Sequence, residues 1–361
     1  MTTDARIPVA VLGATGSVGQ RFVQLLEGHP WFRLHEVVAS EKSTGKTYSE
    51  AASWRLDTPL PEEAATLRLK PLHSELESAI MFSGLDSSVA GEAEDFYANH
   101  GGVVVSNSKN HRMEADVPLL IPEVNAEHLD AIEHQRRRRG GKGYIVTNPN
   151  CSVVGIVMAL APIVQQHGID AVQVTTMQAI SGAGYSGVPS YAILDNVIPY
   201  IKDEEGKVET EPQKILGRWD GEKFLPLEMT ISAQCNRVPV IDGHFFTISF
   251  RFRNSEDLLR HFTIESLIED TRHAIENFEG EPQRLGLPSA PKQAVAFIDG
   301  DDRPQPRLDR GLGNGMTVSV GRIRPCPVLD IRMVGLVHNT IRGAAGAALL
   351  NAELLKAKGL V

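Results

Sequence analysis

The sequence predicts an α/β fold in three stretches. Residues 1–150 form a parallel sheet covered by helices, 151–338 an α+β region with a mixed sheet, and 339–361 a terminal helix that returns to the first part. Three observations predict it. Short apolar runs alternate with helical periodicity in the first part. Period-two alternation takes over after Cys151. The chain ends on an Ala- and Gly-rich stripe.

The elements follow in order. Ile7 to Leu12 is an apolar run closed by Gly13, and Val18, Phe22, Leu25 and Leu26 then mark one helix face. Leu34 to Ala39, Ala79 to Phe82, Val103 to Val105 and Tyr144 to Val146 read as further buried strands, as in a parallel sheet with both faces covered. Val153, Ile156, Val157, Leu160, Ile163 and Val164 line a long helix. Phe246, Ile248, Phe250 and Phe252 alternate with Thr247, Ser249 and Arg251, which predicts a strand with one face on a core and the other open or covered by a partner. Thr317 to Arg322 and Leu329 to Val337 add strands. A polar insertion runs from about Tyr185 to Glu228, and a helix lies near Thr263 to Asn277. Ile341, Ala344, Ala345, Ala348 and Leu349 stripe the last helix, which Asn339 or Thr340 can cap.

Composition excludes several function classes. Three cysteines in 361 residues cannot build a disulfide framework, and no CxxC or His/Cys cluster offers a metal site. A formal charge of −9 argues against a nucleic-acid partner. The run Arg136 to Arg139, in a Gly-rich stretch, reads as a solvated loop. No apolar run reaches the roughly 20 residues of a membrane span. Met1 to Arg6 leave no room for a targeting segment before the first strand, so the expected location is cytoplasmic.

Two loops carry chemistry. Gly13-Ala14-Thr15-Gly16-Ser17-Val18-Gly19 lies between the first strand and the first helix. Glycines let backbone N–H groups approach a phosphate, and the helix N-terminus favours the anion, so this turn reads as the cofactor loop of a Rossmann-type domain. The second strand ends at Ala39-Ser40 rather than at an acid. Ser40 and Ser43, with Lys42 and Lys46, suit the 2′-phosphate of NADP, although Glu41 lies one residue away and could take a ribose hydroxyl. The second loop is Asn148-Pro149-Asn150-Cys151-Ser152. Asn150 can cap the long helix, which places Cys151 at its first turn, where the dipole and free N–H groups lower a thiol pKa and can hold an oxyanion. A thiol beside a nicotinamide points to thioester chemistry on an aldehyde or acyl phosphate. Such chemistry needs an acid/base, and His244 shares the inward parity of Phe246 and Ile248.

The sequence resembles the aspartate-β-semialdehyde dehydrogenase family. The matching segments are Gly13 to Gly19, Ser106-Asn107-Ser108 to Arg112, Asn148 to Ser152, Gln178 to Gly184, Glu211-Pro212-Gln213-Lys214, Arg237 with His244, and Asn339. The segments at Ser106 and at Gly184-Tyr185-Ser186-Gly187 resemble the archaeal and fungal branch. The resemblance implies NADPH-dependent reductive dephosphorylation of L-4-aspartyl phosphate to L-aspartate 4-semialdehyde, in threonine, methionine and lysine synthesis, by a homodimer or homotetramer. It makes Cys151 the nucleophile, His244 the acid/base and Gln178 an orienting group. Arg237 takes the substrate carboxylate and Glu211 its ammonium, while Arg112, Lys214 and Asn150 form the phosphate pocket. Ser181, Gly182, Gly184 and Asn339 lie along the nicotinamide, with Ser83 nearer the middle of the cofactor. Rival readings are N-acetyl-γ-glutamyl-phosphate reductase, whose substrate has no ammonium for Glu211, a malonyl-CoA-type reductase, and a non-catalytic Rossmann binding protein. Cys235 and Cys326 match no role and read as structural.

Overall fold

The computed structural model describes residues 5–361; of the expected N-terminal stretch, residues 1–4 lie outside the described residues. Strands β1 (Ile7–Leu12), β2 (Phe32–Val38), β3 (Leu69–Lys70), β4 (Ile80–Ser83), β5 (Val103–Ser106) and β6 (Tyr144–Thr147) form one sheet in the order β3-β2-β1-β4-β5-β6. Every pairing in it is parallel. The order reverses between β1 and β4, and this switch point opens a crevice at the strand ends. Helix α1 (Ser17–Leu26) covers one face with Phe22, Val23 and Leu26.

The second sheet is mixed, as the longer alternating strands predict. It contains β7 (Ile169–Gln178), β8 (Thr230–Arg237), β9 (His244–Phe252), β10 (Val295–Phe297), β11 (Val318–Pro325) and β12 (Ile331–Val337). Their order is β8-β7-β9-β12-β11-β10, and the two edge pairings are parallel. One face packs against the long helix of Cys151–Gln166 and the helix of Ile264–Glu276, which Thr263 caps through Ser266 N–H. Along β9 the residues on the helix side are buried, whereas Phe245, Thr247 and Ser249 are half-buried.

The last helix, Gly346–Ala357, packs in the first sheet's core, with Ala348, Leu349 and Leu350 beside Val9 and Val11. Neither Asn339 nor Thr340 caps it, because a π-turn at Ile341–Ala345 comes first. That turn is anchored by fully buried Arg342, which grips both oxygens of Glu123 at 2.8 and 2.6 Å.

The basic run corrects the loop reading. Arg136 to Arg139 form the last turn of a helix, Ala131–Arg139, which Gly140 closes at φ +66°. Cations at a helix C-terminus interact favourably with the dipole. Arg138 also grips Asp116 at 2.6 and 2.9 Å, and Arg139 pairs with Asp95.

Candidate active site

Strand register gathers the site. Gln178 and Arg237 are paired at the carboxyl ends of parallel β7 and β8. His244 opens the neighbouring antiparallel strand, so it falls at the same end of the sheet. The helix of Cys151–Gln166 points its N-terminus there. Asn150 Oδ1 accepts from Ser152 N–H at 2.9 Å and Val153 N–H at 3.4 Å, which fixes the helix start and hence the place of Cys151.

Cys151 Sγ lies 3.2 Å from His244 Nε2. The other ring nitrogen, Nδ1, accepts the Ala179 N–H at 3.0 Å. A nitrogen that accepts cannot carry the proton, so in the neutral ring Nε2 bears it and aims it at the sulfur. Burial holds His244 well below its ordinary pKa, and Arg237 and His338 push the same way, so the ring is neutral. Burial also pushes the Cys151 thiol up to about 12; Glu204 adds to this, while Arg237, Arg112 and Lys207 oppose it. This reverses the lowering expected from the helix position. Two first-turn donors that would favour a thiolate are already taken by Asn150. The same cap narrows the expected oxyanion support, leaving the N–H of Cys151 itself in that turn.

Arg237 is buried, and its Nη1 donates to the Ala179 carbonyl at 2.7 Å. Gly182 lies over this pair: a Cβ there would stand 2.8 Å from Arg237 Nη1 and 3.1 Å from His244 Nε2. Arg112 donates to Glu211 at 2.9 Å and to the Asn107 carbonyl at 2.7 Å, and its Nε is buried without a partner.

The cofactor crevice fits a dinucleotide. Gly16 caps α1 with no side-chain bond, so the first-turn N–H groups of Ser17, Val18 and Gly19 stay open to a phosphate. Gly13 needs its φ of +73°, and a side chain at Gly19 would collide with the Gly13 carbonyl. Thr15 belongs to the same loop, where its carbonyl accepts from Gln20. Ser40 is exposed and Ser43 half-buried in a short 3-10 turn, Glu41–Ser43. The acid on the second strand, Glu36, is turned to Lys70 and Ser78 instead. These side chains suit NADP.

Two domain models match the chain. The NAD binding domain of semialdehyde dehydrogenases covers residues 8–132, and their dimerisation domain covers 160–342. An aspartate-semialdehyde dehydrogenase of Candida albicans is 50% identical, over 97% of this chain and 98% of its own. One from Archaeoglobus fulgidus is 47% identical over the same shares. The chain belongs to the aspartate-semialdehyde dehydrogenase family. In solved structures it is similar to the Candida albicans enzyme with NADP, at TM-score 0.90 and 48% identity, covering 98% of this chain and 100% of that one. The second enzyme of Vibrio cholerae superposes at TM-score 0.75 with 27% identity, covering 98% and 99%.

Within this family member, several expected side chains are occupied elsewhere. Lys214 Nζ donates to the carbonyls of Arg112, Glu114 and Val117 at 2.7–2.8 Å. All three of its protons are spent on holding that loop, so it supports Arg112 rather than facing an anion. Glu211 accepts from Arg112 and, at 2.7 Å, from the Asn150 N–H, one bond on each oxygen, so it braces the loop that carries Asn150. The Asn150 amide donates to both oxygens of Glu204 at 2.9 Å. Ser83 is fully buried and donates to Glu94 at 2.6 Å, which turns its hydroxyl away from the crevice. Asn339 bridges Ser181 Oγ and Gly243 N–H, so it orders the loop of Ser181, Gly182 and Gly184 and spends its amide there. Cys235 packs in the second core and Cys326 accepts from Leu329 N–H; all three cysteines are free.

Sequence reasoning missed Glu204 and Lys207. Both sit in the first turns of the helix Glu204–Ile215, which we label α2. Glu204 is buried and accepts from Asn150 Nδ2, Gln178 Nε2 and Lys207 Nζ at 2.8–3.1 Å. The available signal was the second Glu-x-x-Lys spacing, seven residues before the one at Glu211.

Proposed function

We propose that this chain reduces L-4-aspartyl phosphate to L-aspartate 4-semialdehyde with release of phosphate, reversibly, using NADPH, in the synthesis of threonine, methionine and lysine. The observation that carries this reading is the contact between Cys151 Sγ and His244 Nε2 at a helix head beside buried Arg237. The nucleotide is assigned to residues 1–150 and catalysis and dimerisation to 151–338, with 339–361 returning to the nucleotide domain. Gly13 to Gly19, Ser40 and Ser43 hold the cofactor. It supplies the hydride when bound.

Cys151 sulfur attacks the acyl carbon; the C–S bond forms as the C–O bond to phosphate breaks, the thiol proton leaves with the phosphate, and a thioester remains on the protein. The Nε2 proton of His244 faces the sulfur and the charge that develops next to it, where a neutral donor stabilises an oxyanion without transferring a full charge. Reduction of the thioester carbon and re-formation of its carbonyl expel the sulfur, which restores Cys151. Arg237 provides a planar fork for the α-carboxylate, and Gln178 orients the chain of the substrate. Arg112, with a free Nε, is the cation nearest the phosphate in this reading.

The assembly is a homodimer through the open face of the second sheet, or a tetramer built from such dimers. Half-buried Phe245 on that face, and exposed Tyr191, Leu194, Val197 and Tyr200 in the insertion, supply apolar surface for it. The deciding test is Cys151→Ala, assayed with aspartate semialdehyde, phosphate and NADP. Turnover should vanish while NADPH still binds; a variant that retains turnover overturns the thioester reading. N-acetylglutamate semialdehyde in the same assay separates the rival reductase.

A further inference from the structure

The loop that carries Arg112 meets the helix of Ser87–Asn99 through two buried groups that the reaction does not use. Glu94 of that helix is fully buried. Its Oε1 accepts the hydroxyls of Ser83 at 2.6 Å and Ser106 at 2.7 Å, at the carboxyl ends of β4 and β5. Its Oε2 is buried with no hydrogen-bond partner among the described residues. His111, next to Arg112, is buried as well, and its Nδ1 lies 2.5 Å from Glu114 Oε1. Its Nε2 is likewise buried without a partner. The two orphaned atoms face each other at 3.6 Å. A bond between them needs one proton. A carboxylate offers only lone pairs, and an imidazole that gives its Nδ1 proton to Glu114 has a bare Nε2 unless it is protonated there too. Without that proton two buried lone pairs meet, which is costly; with it, both protons of the imidazolium point at carboxylates.

The surroundings favour the proton. Burial would lower the His111 pKa, but the Glu114 bond and the charges of Glu114, Glu94 and Asp95 outweigh it and raise it. Burial raises Glu94, against the bonds from Ser83 and Ser106 and the charge of His111. Groups so close titrate as a pair. The cations of the neighbouring helix face the acids: Arg138 lies 3.4 Å from Glu114, and Arg139 lies 2.8 Å from Asp95. Lys214 holds the same loop through three carbonyls, and burial pushes it down to about 7.

We propose that one buried proton, held between His111 Nε2 and Glu94 Oε2, fixes the loop that presents Arg112 to the phosphate, which makes His111 a positioning residue of the reaction. The inference rests on the proposed phosphate role of Arg112 and deepens it. With the proton in place, the loop is drawn toward the strand ends that border the cofactor crevice. Ser106 continues the path, since its Oγ also accepts the Ser108 N–H at 3.0 Å. As pH rises through the value of the pair, the proton passes to solvent and the facing lone pairs repel. The loop then loosens, while Arg112 keeps its own charge.

The test measures the KM for phosphate with aspartate semialdehyde and NADP, from about pH 6 to about pH 9, in the intact enzyme and its variants. The ionisation of phosphate itself cancels in the ratio of variant to wild type. His111→Gln should raise that KM about tenfold at the acid end, as for one lost charge-assisted bond, with NADPH affinity within about twofold. The ratio should fall toward one at the alkaline end, because wild type has then lost its proton as well. Glu94→Gln should move the wild-type inflection to lower pH, since it removes an anion from beside the imidazolium. An inflection that belongs to Lys214, whose charged neighbours are Glu114, Asp116 and Glu211, would stay in place. A ratio that is constant across the range shows a merely structural His111 and overturns the proposal. So does an inflection unmoved by Glu94→Gln, and this arm carries the test should His111→Gln not fold. Arg112→Ala with an unchanged phosphate KM defeats the phosphate reading itself; if only the proton link is wrong, Arg112→Ala still raises that KM.

Discussion

Gly182→Ala is the sharpest probe of the geometry at the thiol. An added Cβ would lie 2.8 Å from Arg237 Nη1, 3.0 Å from His244 Cε1 and 3.1 Å from His244 Nε2. Carbon and nitrogen atoms pack comfortably at about 3.5–4 Å, so the ring and the fork must each retreat by roughly half an ångström or more, or the loop must lift. Retreat of the ring displaces His244 Nε2 from its place 3.2 Å from the sulfur. A misplacement near 1 Å can cost about 100-fold in rate, so a half-ångström displacement should cost on the order of 10-fold in kcat/KM. Stability should barely respond, because Gly182 is exposed and belongs to neither core. Steady-state kinetics with aspartate semialdehyde, read beside thermal unfolding, checks both halves. A variant with kcat/KM within twofold of wild type would refute the claim that this loop sets the catalytic pair.

Three further outcomes follow from the structure. Arg342→Met should lose about 3–5 kcal/mol in urea unfolding, since it strands the buried Glu123, and a second change, Glu123→Leu, should recover most of it; equal losses in single and double variants would rule out the pair as the cause. Glu36 sits below its ordinary pKa: burial alone would raise it, but bonds from Lys70 and Ser78 outweigh that. Its folded pKa is depressed, so it contributes stability above about pH 4.5, lost as pH falls through the folded value; Glu36→Gln should flatten the acid limb of the stability–pH curve, and an unchanged limb would contradict it. With the Cys151 thiol pushed up to about 12 in the free enzyme, alkylation by iodoacetamide should keep rising from pH 7 to pH 10; a plateau below pH 8 would show a thiolate already present.

Much of the framework was legible because apolar pattern and function agree there. Val9 to Leu12, Val103 to Val105 and the stripe from Val153 to Ile163 are buried, and each falls in its expected element. His244 was readable by parity with Phe246 and Ile248, which depends only on the pleat. The Arg136 to Arg139 turn was not readable as a helix, because four cations show no apolar stripe and their partners, Asp116 and Asp95, are remote in sequence. Helix α2 failed in a more instructive way. Its inward positions 204, 208, 211 and 215 hold Glu, Val, Glu and Ile, so the spacing is helical while half the stripe is charged. A search for apolar periodicity discards such a helix where it turns functional residues inward.

The same helix shows why a residue's type and motif do not fix its role. Lys214 has the spacing of a phosphate ligand, yet its ammonium closes the loop that carries Arg112. Burying that cation without acceptors would be costly, and three carbonyls offset the cost while fixing the loop. Glu211 then ties Arg112 to the Asn150 backbone, and Asn150 in turn sets the helix that presents Cys151. On the other side, Asn148 donates to Asn107 and to the Ala344 carbonyl in the π-turn, and Gly343 in that turn leaves no space for a side chain against Cys151. Charges that look like substrate ligands in the sequence are thus spent holding the nucleophile loop. An active site that must keep a thiol and an imidazole within hydrogen-bond reach needs such supports before any substrate arrives.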